Sequence, residues 1–547
     1  MKISKKKLFS TLALSYFCVC GVSAQGMEKG IEYFRAELFD AAKMYFYQHE
    51  HTVGVGEGQA ELYFYLGESH AATEQTDSAI FYYQKAVAAD PEYSYAYIAE
   101  GKLALQKQDS QSAQKLFARA TRSDKKNPQI YTSVAQAYIA VKEYALAEEA
   151  LSKARKVDRK FSGIFVAEGD ALMQQGKVGE ACSRYENAIL YDKNDKVAYL
   201  KEARVYKNIE PQLSLDILDR LIQVDPDYIP AYAEIGEINY ARGYYVDAIN
   251  AYAKFIEIPG VPLKHQINYA SLLYFTKEYD KSLEQIKIIL VHEPDNVVMH
   301  RLQAYNNYEL KNYELGLQEI EHFFAITPED QVITLDFITY GRLLEKNKKA
   351  DLAVMNLKKA LTLDDSKLEI YKEIAIAYST LGNYVETVSF YKQYFAKDEN
   401  APLGDIFNAG IASYNAANQQ GSNEEPIALD STLRLEYLNL ADDFFSQVVE
   451  RSPDTYLGYF WRARCQSAID LDTSLGLAKP YYDEAVEKME ANNADNRRDK
   501  DLIEAYSYLG YYFYLNGDMD SSKDRWRKIL EKDPDNAVAK QALDGLK

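Results

Sequence analysis

The residues best suited to chemistry lie close together near the start of the chain. His49, Glu50 and His51 are of types that bind zinc, and the alternating glycines from Gly54 to Gly58 resemble a loop that cradles phosphate. A zinc site needs ligands at helical spacing or a second cluster, and the sequence offers neither. A phosphate loop follows a β-strand, which is not predicted before Gly54, so a flexible connection is favoured. We therefore predict no metal and no cofactor.

Two cysteines are the remaining candidates for catalysis. Cys182 and Cys465 fall within predicted helices, where packing is the favoured interpretation over a role as a nucleophile. Their wide separation along a repeat array argues against a disulfide between them. The seven histidines are scattered, so no histidine-centred triad can be assembled. We predict that the protein is not an enzyme.

Small residues recur at an almost constant interval, which indicates a repeat protein. Gly67, Gly101 and Ala135 are 34 residues apart. A second small residue follows about twelve positions after most members of this series, and a large residue comes four positions later; in the first complete unit these are Ala79 and Tyr83. The series continues at Gly169, Ala203, Gly236, Ala270, Ala304, Gly341, Ala375, Gly410, Ala463 and Gly510.

One unit, residues 60–93, shows how the repeat builds structure. Apolar residues at helical spacing predict two helices separated by a polar turn. Pro91 ends the second helix, because proline cannot continue an α-helix. Gly67 and Ala79 allow the two helices to approach closely, and Tyr83 fills the space beside them. Each pair then exposes an apolar face that only the next pair can cover, so the units must stack.

These positions resemble the pattern of the tetratricopeptide-repeat family. The matching residues of the first complete unit are Leu66, Gly67, Ala79, Tyr83, Ala86 and Pro91. Those of the last full unit are Ala505, Tyr506, Leu509, Gly510, Tyr511, Trp526, Ile529 and Pro534. The resemblance covers nearly the whole chain beyond its first residues. It implies an all-α fold, a right-handed superhelical solenoid of about fourteen helix pairs.

The domain organisation follows from this register and its interruptions. We predict a signal peptide over residues 1–24 and an atypical N-terminal repeat with a loop over residues 25–58. A regular array follows over residues 59–401. Residues 402–536 are predicted to form further units that carry polar insertions, and residues 537–547 are predicted to form a C-terminal capping helix.

The resemblance also implies a binding surface, since the first helix of each pair lines the concave groove in this family. Tyrosine offers contact area at a low entropic cost, and arginine pairs with carboxylates. The alternative for Tyr240, Tyr274 and Tyr308 is packing between helices, and the same alternative stays open for Arg301, Tyr305 and Arg342, whose large polar ends need a solvated or paired environment. Tyr511 and Tyr514 form a second candidate patch. The partner-binding residues carried over by register are Tyr240, Tyr274, Phe275, Arg301, Tyr305, Tyr308, Arg342 and Lys346.

The first residues have the features of a secretory signal peptide. A lysine-rich start precedes an apolar stretch from Leu8 to Gly21, and the small residues before Gln25 predict cleavage there. An uncleaved anchor is the alternative. No later stretch is apolar enough to cross a bilayer, so the mature chain is predicted to lack a transmembrane segment. We expect an exported protein, periplasmic or otherwise extracytoplasmic.

The charge of the chain narrows the classes of partner. The whole chain has 63 basic and 82 acidic side chains and a net charge of -19. Such a balance argues against nucleic acid and anionic membranes. We therefore expect a non-catalytic scaffold of the bacterial cell envelope that binds an extended protein segment or an assembly surface. The alternative is a carbohydrate-binding protein, because tyrosine faces also stack on sugar rings.

Overall fold

The computed structural model describes residues 27–54, 56–418, 430–491 and 496–546. Every regular element in these ranges is a helix, which confirms the predicted all-helical repeat fold. The predicted signal peptide and most of the insertion after Asn418 lie outside the described residues. The chain divides into two compact units, unit 1 through Leu302 and unit 2 from Gln303, and the division falls within one helix.

Unit 1 is a succession of helix pairs in which each odd-numbered helix is the first member of its pair. Its helices are α1 (27–35), α2 (Phe39–His49), α3 (Glu57–Ala72), α4 (Thr76–Ala89), α5 (Ser94–Gln106), α6 (Ser110–Ser123), α7 (Pro128–Ala140), α8 (Tyr144–Val157), α9 (Ser162–Gln174), α10 (Val178–Tyr191), α11 (Lys196–Tyr206), α12 (Pro211–Val224), α13 (Ile229–Ala241), α14 (Tyr245–Phe255), α15 (Leu263–Phe275), α16 (Tyr279–His292) and α17 (Val297–Glu309), which contains the division.

Unit 2 continues the same alternation. A short 3-10 helix, Glu329–Gln331, precedes α19. The helices are α18 (Tyr313–Ile326), α19 (Thr334–Lys346), α20 (Ala350–Leu363), α21 (Leu368–Thr380), α22 (Tyr384–Lys397), α23 (Leu403–Ala417), α24 (Ser431–Arg451), α25 (Tyr456–Ile469), α26 (Lys479–Glu490), α27 (Asp499–Leu515), α28 (Met519–Lys532) and α29 (Ala537–Gly545).

The small residues of the repeat hold the two helices of each pair together. A Cβ atom added to Gly67 would lie 2.4 Å from Cε1 of Tyr83, so only glycine leaves room for the ring. Gly101 faces Phe117 in the same way, at 2.4 Å. The Tyr83 hydroxyl also donates a hydrogen bond to Glu68, with an oxygen-to-oxygen distance of 2.5 Å. Close backbone approach and a large partner therefore explain the spacing that defines the repeat.

The turn inside most pairs uses a left-handed residue. In the α7–α8 pair this residue is Lys142, with φ 63, and in the α9–α10 pair it is Gly176, with φ 75. The amide after each turn residue donates to a carbonyl of the preceding helix, as Glu143 does to Tyr138 at 3.0 Å. This arrangement satisfies carbonyls that the end of the helix would otherwise leave without partners.

Two pairs with unusual sequences keep the same packing. In the first pair, a Cβ atom on Gly30 would lie 2.5 Å from Cε1 of Phe46. In the α23–α24 pair, a Cβ atom on Gly410 would lie 2.7 Å from Cε1 of Phe445, although an insertion separates these two residues. The packing of glycine against an aromatic ring is thus found in the first pair and also in the pair whose two helices are separated by an insertion.

Candidate protein-binding surface

The residues considered for chemistry have structural partners instead. Nδ1 of His49 lies 2.7 Å from the carbonyl of Tyr45, and Glu50 accepts a hydrogen bond from Lys85 at 3.0 Å. Among the described residues, no group of three or more potential ligands could hold a metal ion. Cys182 and Cys465 are both buried, and burial raises the pKa of each thiol above its ordinary value. A buried thiol with a raised pKa is a poor nucleophile.

Tyr305, one of the predicted groove residues of unit 2, lies inside the core. It is only 4% exposed, and its hydroxyl donates to the buried carboxylate of Asp336 at 2.6 Å. Asp336 also accepts from the backbone amide of Ile333 at 2.9 Å and so fixes the start of α19. The contact ties α17 to α19, and the tyrosine face is not available to a ligand in this arrangement.

Arg342 of unit 2 is engaged by the next first helix. Its guanidinium donates to both carboxylate oxygens of Glu373 on α21, with distances between 2.7 and 3.1 Å. Lys372 on α21 in turn pairs with Asp405 on α23 at 2.7 Å. Opposite charges about one repeat apart therefore link successive first helices.

Several other side chains of these first helices remain exposed. Lys346, which was predicted for the groove, is exposed and pairs with its neighbour Glu345 at 3.0 Å, while Tyr308 is half-buried. Leu335 is 41% exposed and Ile376 is 39% exposed. Leu335, Arg342 and Lys346 share one side of α19, since they are seven and four residues apart. The residues Tyr308, Leu335, Arg342, Lys346 and Ile376 are called the unit 2 face below.

The predicted groove residues of unit 1 belong to an aromatic cluster. Tyr245 stacks on Phe275 with ring centroids 4.5 Å apart, and Tyr240 lies 6.3 Å from Tyr245. Tyr274 contacts Phe275 edge-on at 5.6 Å. Phe275 is nevertheless 44% exposed, and Arg301, in the following first helix, is half-buried. The aromatic rings of α13, α14 and α15 therefore pack on one another, and the side chain of Phe275 stays partly exposed to solvent.

The first helices of unit 1 also hold a segment of the chain itself. Residues 27–38, here called the N-terminal segment, comprise α1 and the turn that follows it. Lys196 at the start of α11 forms an ion pair with Glu32 of this segment, 164 residues away in the chain. Lys196 also binds Asp225 at 2.8 Å. This contact joins the first pair to the sixth.

Arg204, two turns further along α11, holds the end of the segment. Its guanidinium donates to the carbonyl of Ala36 at 2.8 Å and pairs with Glu37 at 3.2 Å. The same guanidinium donates to Glu234 of α13 at 2.7 Å. Burial raises the pKa of Glu234, but Arg204 and Lys207 outweigh burial and hold this pKa below its ordinary value. Glu234 is thus an anion that fixes Arg204 toward the segment.

Apolar contacts accompany these charges. Tyr33 and Ala36 of the segment are 2% and 1% exposed and belong to one continuous buried cluster with Leu200 and Tyr228. The loop before α15 also comes close, since a Cβ atom on Gly260 would lie 2.8 Å from the backbone of Asp40. The first-helix side of α11 and α13 is therefore a surface on which a helix and its turn are seated.

The contact is not filled throughout. A cavity of about 230 Å³ remains between the turn and the helices. Burial lowers the pKa of His265, which lines this cavity. The other lining residues are Ala36, Glu37, Leu38, Arg204, Pro230, Ala233, Glu234, Glu237 and Pro262.

The second predicted patch, on α27, presents aromatic side chains. Tyr511 is 45% exposed and Tyr514 is 48% exposed. Leu515 beside them is 44% exposed.

None of the helices in the described ranges has both the length and the apolar composition needed to cross a bilayer.

Stacked helix pairs of this kind define a helical repeat protein. Residues 70–137 match the sequence model of the family described as tetratricopeptide repeat. The same packing of glycine against a large residue extends before and after this range, from Gly30 to Gly510. The family match and the helix pairs that continue its register support the assignment of the chain to the tetratricopeptide-repeat family. Proteins of this class generally mediate protein–protein interactions and are generally not enzymes.

Individual relatives are distant. The chain is 25% identical over 233 residues to "DnaJ protein P58IPK homolog A" of Oryza sativa subsp. japonica, which covers 40% of this chain and 48% of that protein. It is 19% identical over 359 residues to "DnaJ homolog subfamily C member 3" of Rattus norvegicus, covering 61% and 66%. The chain thus spans about half the length of the rice relative that it matches.

A solved structure shows a similar partial likeness. The C-terminal part of a TPR repeat-containing protein from Cytophaga hutchinsonii is 27% identical, with a TM-score of 0.40, and covers 51% of this chain and 99% of that one.

Sequence register placed the predicted residues on first helices but did not identify their partners. Leu335 and Ile376 were not predicted, although both follow the spacing that selected Arg342. The pairing of Arg342 with Glu373 carries a sequence signal, namely opposite charges 31 residues apart. The contact of Glu32 with Lys196 has no comparable local signal.

Proposed function

We propose that this protein is a non-catalytic scaffold that binds segments of partner proteins on the first-helix sides of its repeats. The observation that carries the proposal is the seating of the N-terminal segment in unit 1. There Lys196 and Arg204 hold a helix and its turn by a carboxylate and a backbone carbonyl. The first-helix surface of unit 2 exposes both charged and apolar side chains, which suits a partner segment that carries both kinds of side chain.

The proposal is tested by capture with the purified mature chain on a support. The face variant carries Leu335→Glu, Lys346→Glu and Ile376→Glu, all at exposed positions of the unit 2 face. The control variant carries Leu352→Glu, Met355→Glu and Leu363→Glu on the second helix α20, where the side chains are also exposed. Both variants introduce three glutamates into unit 2, on α19 and α21 in the face variant and on α20 in the control.

We expect the parent and the control to retain the same protein from an envelope extract and the face variant to lose it. Circular dichroism should show equal helix content in all three chains. Retention of that protein by the face variant would exclude the unit 2 face. Cross-linking of the captured protein to Lys346, followed by mass spectrometry, then identifies the bound segment.

We further propose that the protein is exported to the cell envelope. The support is the lysine-rich start, the apolar stretch and the small residues before Gln25. N-terminal sequencing of the protein from the cells that produce it tests this. A terminus at Gln25 in the envelope fraction is the expected result, and a terminus at Met1 in the cytoplasmic fraction would refute export.

A carbohydrate ligand is the second candidate, because two tyrosines of α27 are exposed. Tyr511 and Tyr514 present rings of the type that stack on sugars. A glycan array probed with the mature chain and with Tyr511→Ala/Tyr514→Ala tests this function. Binding of a glycan by the parent and its loss in the variant would support it, and equal signals from both chains would reject it.

A further inference from the structure

The first-helix side of α11 and α13 is already occupied within the chain, and the occupant is a recognisable ligand. The N-terminal segment offers an acidic side chain, Glu32, to Lys196 and a turn carbonyl, at Ala36, to Arg204. Between these two polar contacts it buries Tyr33. A helix with a carboxylate, an aromatic residue and a terminal turn is therefore the chemistry that this surface recognises.

We propose that the N-terminal segment is an intramolecular competitor, which covers the first-helix side of α11 and α13 until a partner helix of the same chemistry displaces it. This inference rests on the proposed function, since it requires that first-helix sides bind protein segments. The partner is an amphipathic helix with an acidic residue placed against Lys196 and a C-terminal turn against Arg204.

The geometry of the segment allows it to leave as a folded body. Its helix ends in its own cap, because the amide of Leu38 donates to the carbonyl of Tyr33 at 2.9 Å. It packs against α2 through Gly30 and Phe46 and through the rings of Tyr33 and Tyr45, whose centroids lie 5.0 Å apart. The pair α1–α2 can therefore move away from α11 and α13 without loss of its internal contacts.

The contact that must break combines polar contacts with the buried apolar packing of Tyr33 and Ala36. Charged groups hold it at Lys196 and Arg204, and the cavity of about 230 Å³ remains beside the turn. The cavity leaves the turn less closely packed than the helix, so fewer contacts are lost there when the segment separates. A tethered segment at a high effective concentration still keeps the surface covered in the absence of a competitor.

The test uses the mature full chain and a fluorescent peptide of residues 27–49 with the parental sequence. Glu32→Lys places a second cation against Lys196 and should open the contact, while the receptor residues on α11 and α13 stay intact. Glu28→Lys is the matched control, since Glu28 is exposed on the same helix. Fluorescence anisotropy measures the affinity of each chain for the peptide.

We expect the Glu32→Lys chain to bind the peptide at least tenfold more tightly than the parent or the Glu28→Lys chain, roughly the gain that follows when the binding-competent fraction rises tenfold. A peptide that itself carries Glu32→Lys should lose this binding. Hydrogen exchange should be faster over residues 27–38 in the Glu32→Lys chain alone, because a helix that has lost its packing against α11 and α13 opens more often. Equal affinity in all three chains, or no binding to a chain whose segment is deprotected, would overturn the proposal.

Glu32→Gln provides a second route if Glu32→Lys fails to fold. It removes the ion pair without adding repulsion and should give a smaller gain in the same direction. Because the peptide test needs no external partner, it can fail while capture by the unit 2 face succeeds, and the reverse is also possible. The competitor proposal and the proposed function therefore fail separately.

Discussion

Unit 1 and unit 2 use the same repeat but treat their first helices differently. In unit 1, Arg204 holds Glu234 and also a carbonyl of the N-terminal segment. In unit 2, Arg342 holds Glu373 of the next first helix, and exposed apolar side chains such as Ile376 lie nearby. An arginine at the same position of the repeat therefore holds the N-terminal segment over the surface of unit 1, whereas in unit 2 it links two neighbouring first helices beside side chains that stay exposed.

This difference shows that register alone does not distinguish a residue that binds a protein segment from a residue that pairs with the next helix of the array. Arg342 occupies a position that the register predicts for the groove, yet its guanidinium is paired with the carboxylate of Glu373, 31 residues later. The two units differ because Arg204 contacts the N-terminal segment in addition to Glu234, whereas the contacts described for Arg342 are with Glu373 alone.

The largest expected effect comes from the arginines. Arg204→Ala should lower the free energy of unfolding of unit 1 by about 3 kcal/mol, because Glu234 is buried and would lose one of its two cations. Arg342→Ala should cost about 1 kcal/mol or less, because both members of that pair are more than a quarter exposed. Hydrogen exchange of α13 and of α19 during urea titration measures each local effect. Equal losses in the two units would contradict the comparison.

The second effect depends on pH and belongs to unit 1. Glu202 is 4% exposed, and burial raises its pKa to about 7, because Arg220 is 3.9 Å away and too exposed to offset burial. The folded state therefore binds a proton that the unfolded state releases, and stability falls as the pH rises from about 4.5 toward 7. Glu202→Gln should remove this fall.

The measured gain for Glu202→Gln should be about 2 kcal/mol at pH 8 and near zero at pH 4.5, since a shift of one pKa unit is worth about 1.4 kcal/mol and structural relaxation reduces the total. Urea denaturation at both pH values, followed through the exchange of α11, provides the measurement. Glu186→Gln, at an exposed neighbouring position, is the control and should change stability little. A pH-independent gain in the Glu202 variant would show that the carboxyl is not buried as described.

The fold was predictable because it depends on local spacing. The interval of 34 residues and the glycines at Gly67 and Gly101 predict helix pairs whose partners lie within one unit of sequence. The sequence predicts an atypical repeat over residues 25–58, yet Gly30 and Phe46 follow the spacing of Gly67 and Tyr83. The α1–α2 pair therefore shares the glycine-to-ring spacing of the regular units.

The state of the surface was less predictable, because it depends on contacts that periodicity does not encode. Tyr305 occupies a groove position in the register, and only the structure shows that its hydroxyl meets Asp336 in the core. The contact of Glu32 with Lys196 spans 164 residues, a separation at which a charge pair carries no pattern in a single sequence. Partners one repeat away can be inferred, whereas partners several repeats away cannot.

The third effect tests whether the two units share their packing rule. Gly169→Ala would bring a Cβ atom to 2.5 Å from the ring of Tyr185, which cannot move aside within a packed pair. Gly341→Ala would bring a Cβ atom to 2.6 Å from Cγ of Leu357, which is also buried but is smaller and less rigid than a tyrosine ring. We expect losses of about 2 and 1 kcal/mol respectively. Local exchange of α9 and α19 measures them, and a larger loss at Gly341 would contradict this account.

The smallest expected effect comes from the turns and should be equal in the two units. Lys142 and Lys348 hold the left-handed conformation, with φ 63 and 61, which costs a residue with a Cβ atom about 1–2 kcal/mol. Glycine avoids this strain but loses more conformational entropy on folding, so Lys142→Gly and Lys348→Gly should each stabilise by about 0.5 kcal/mol. The reverse change, Gly176→Ala, should destabilise by a similar amount, because Gly176 occupies the same turn position with φ 75. Thermal and urea midpoints of the three variants provide the measurement. A gain in one unit alone would mean that the turns, like the first-helix surfaces, differ between the units.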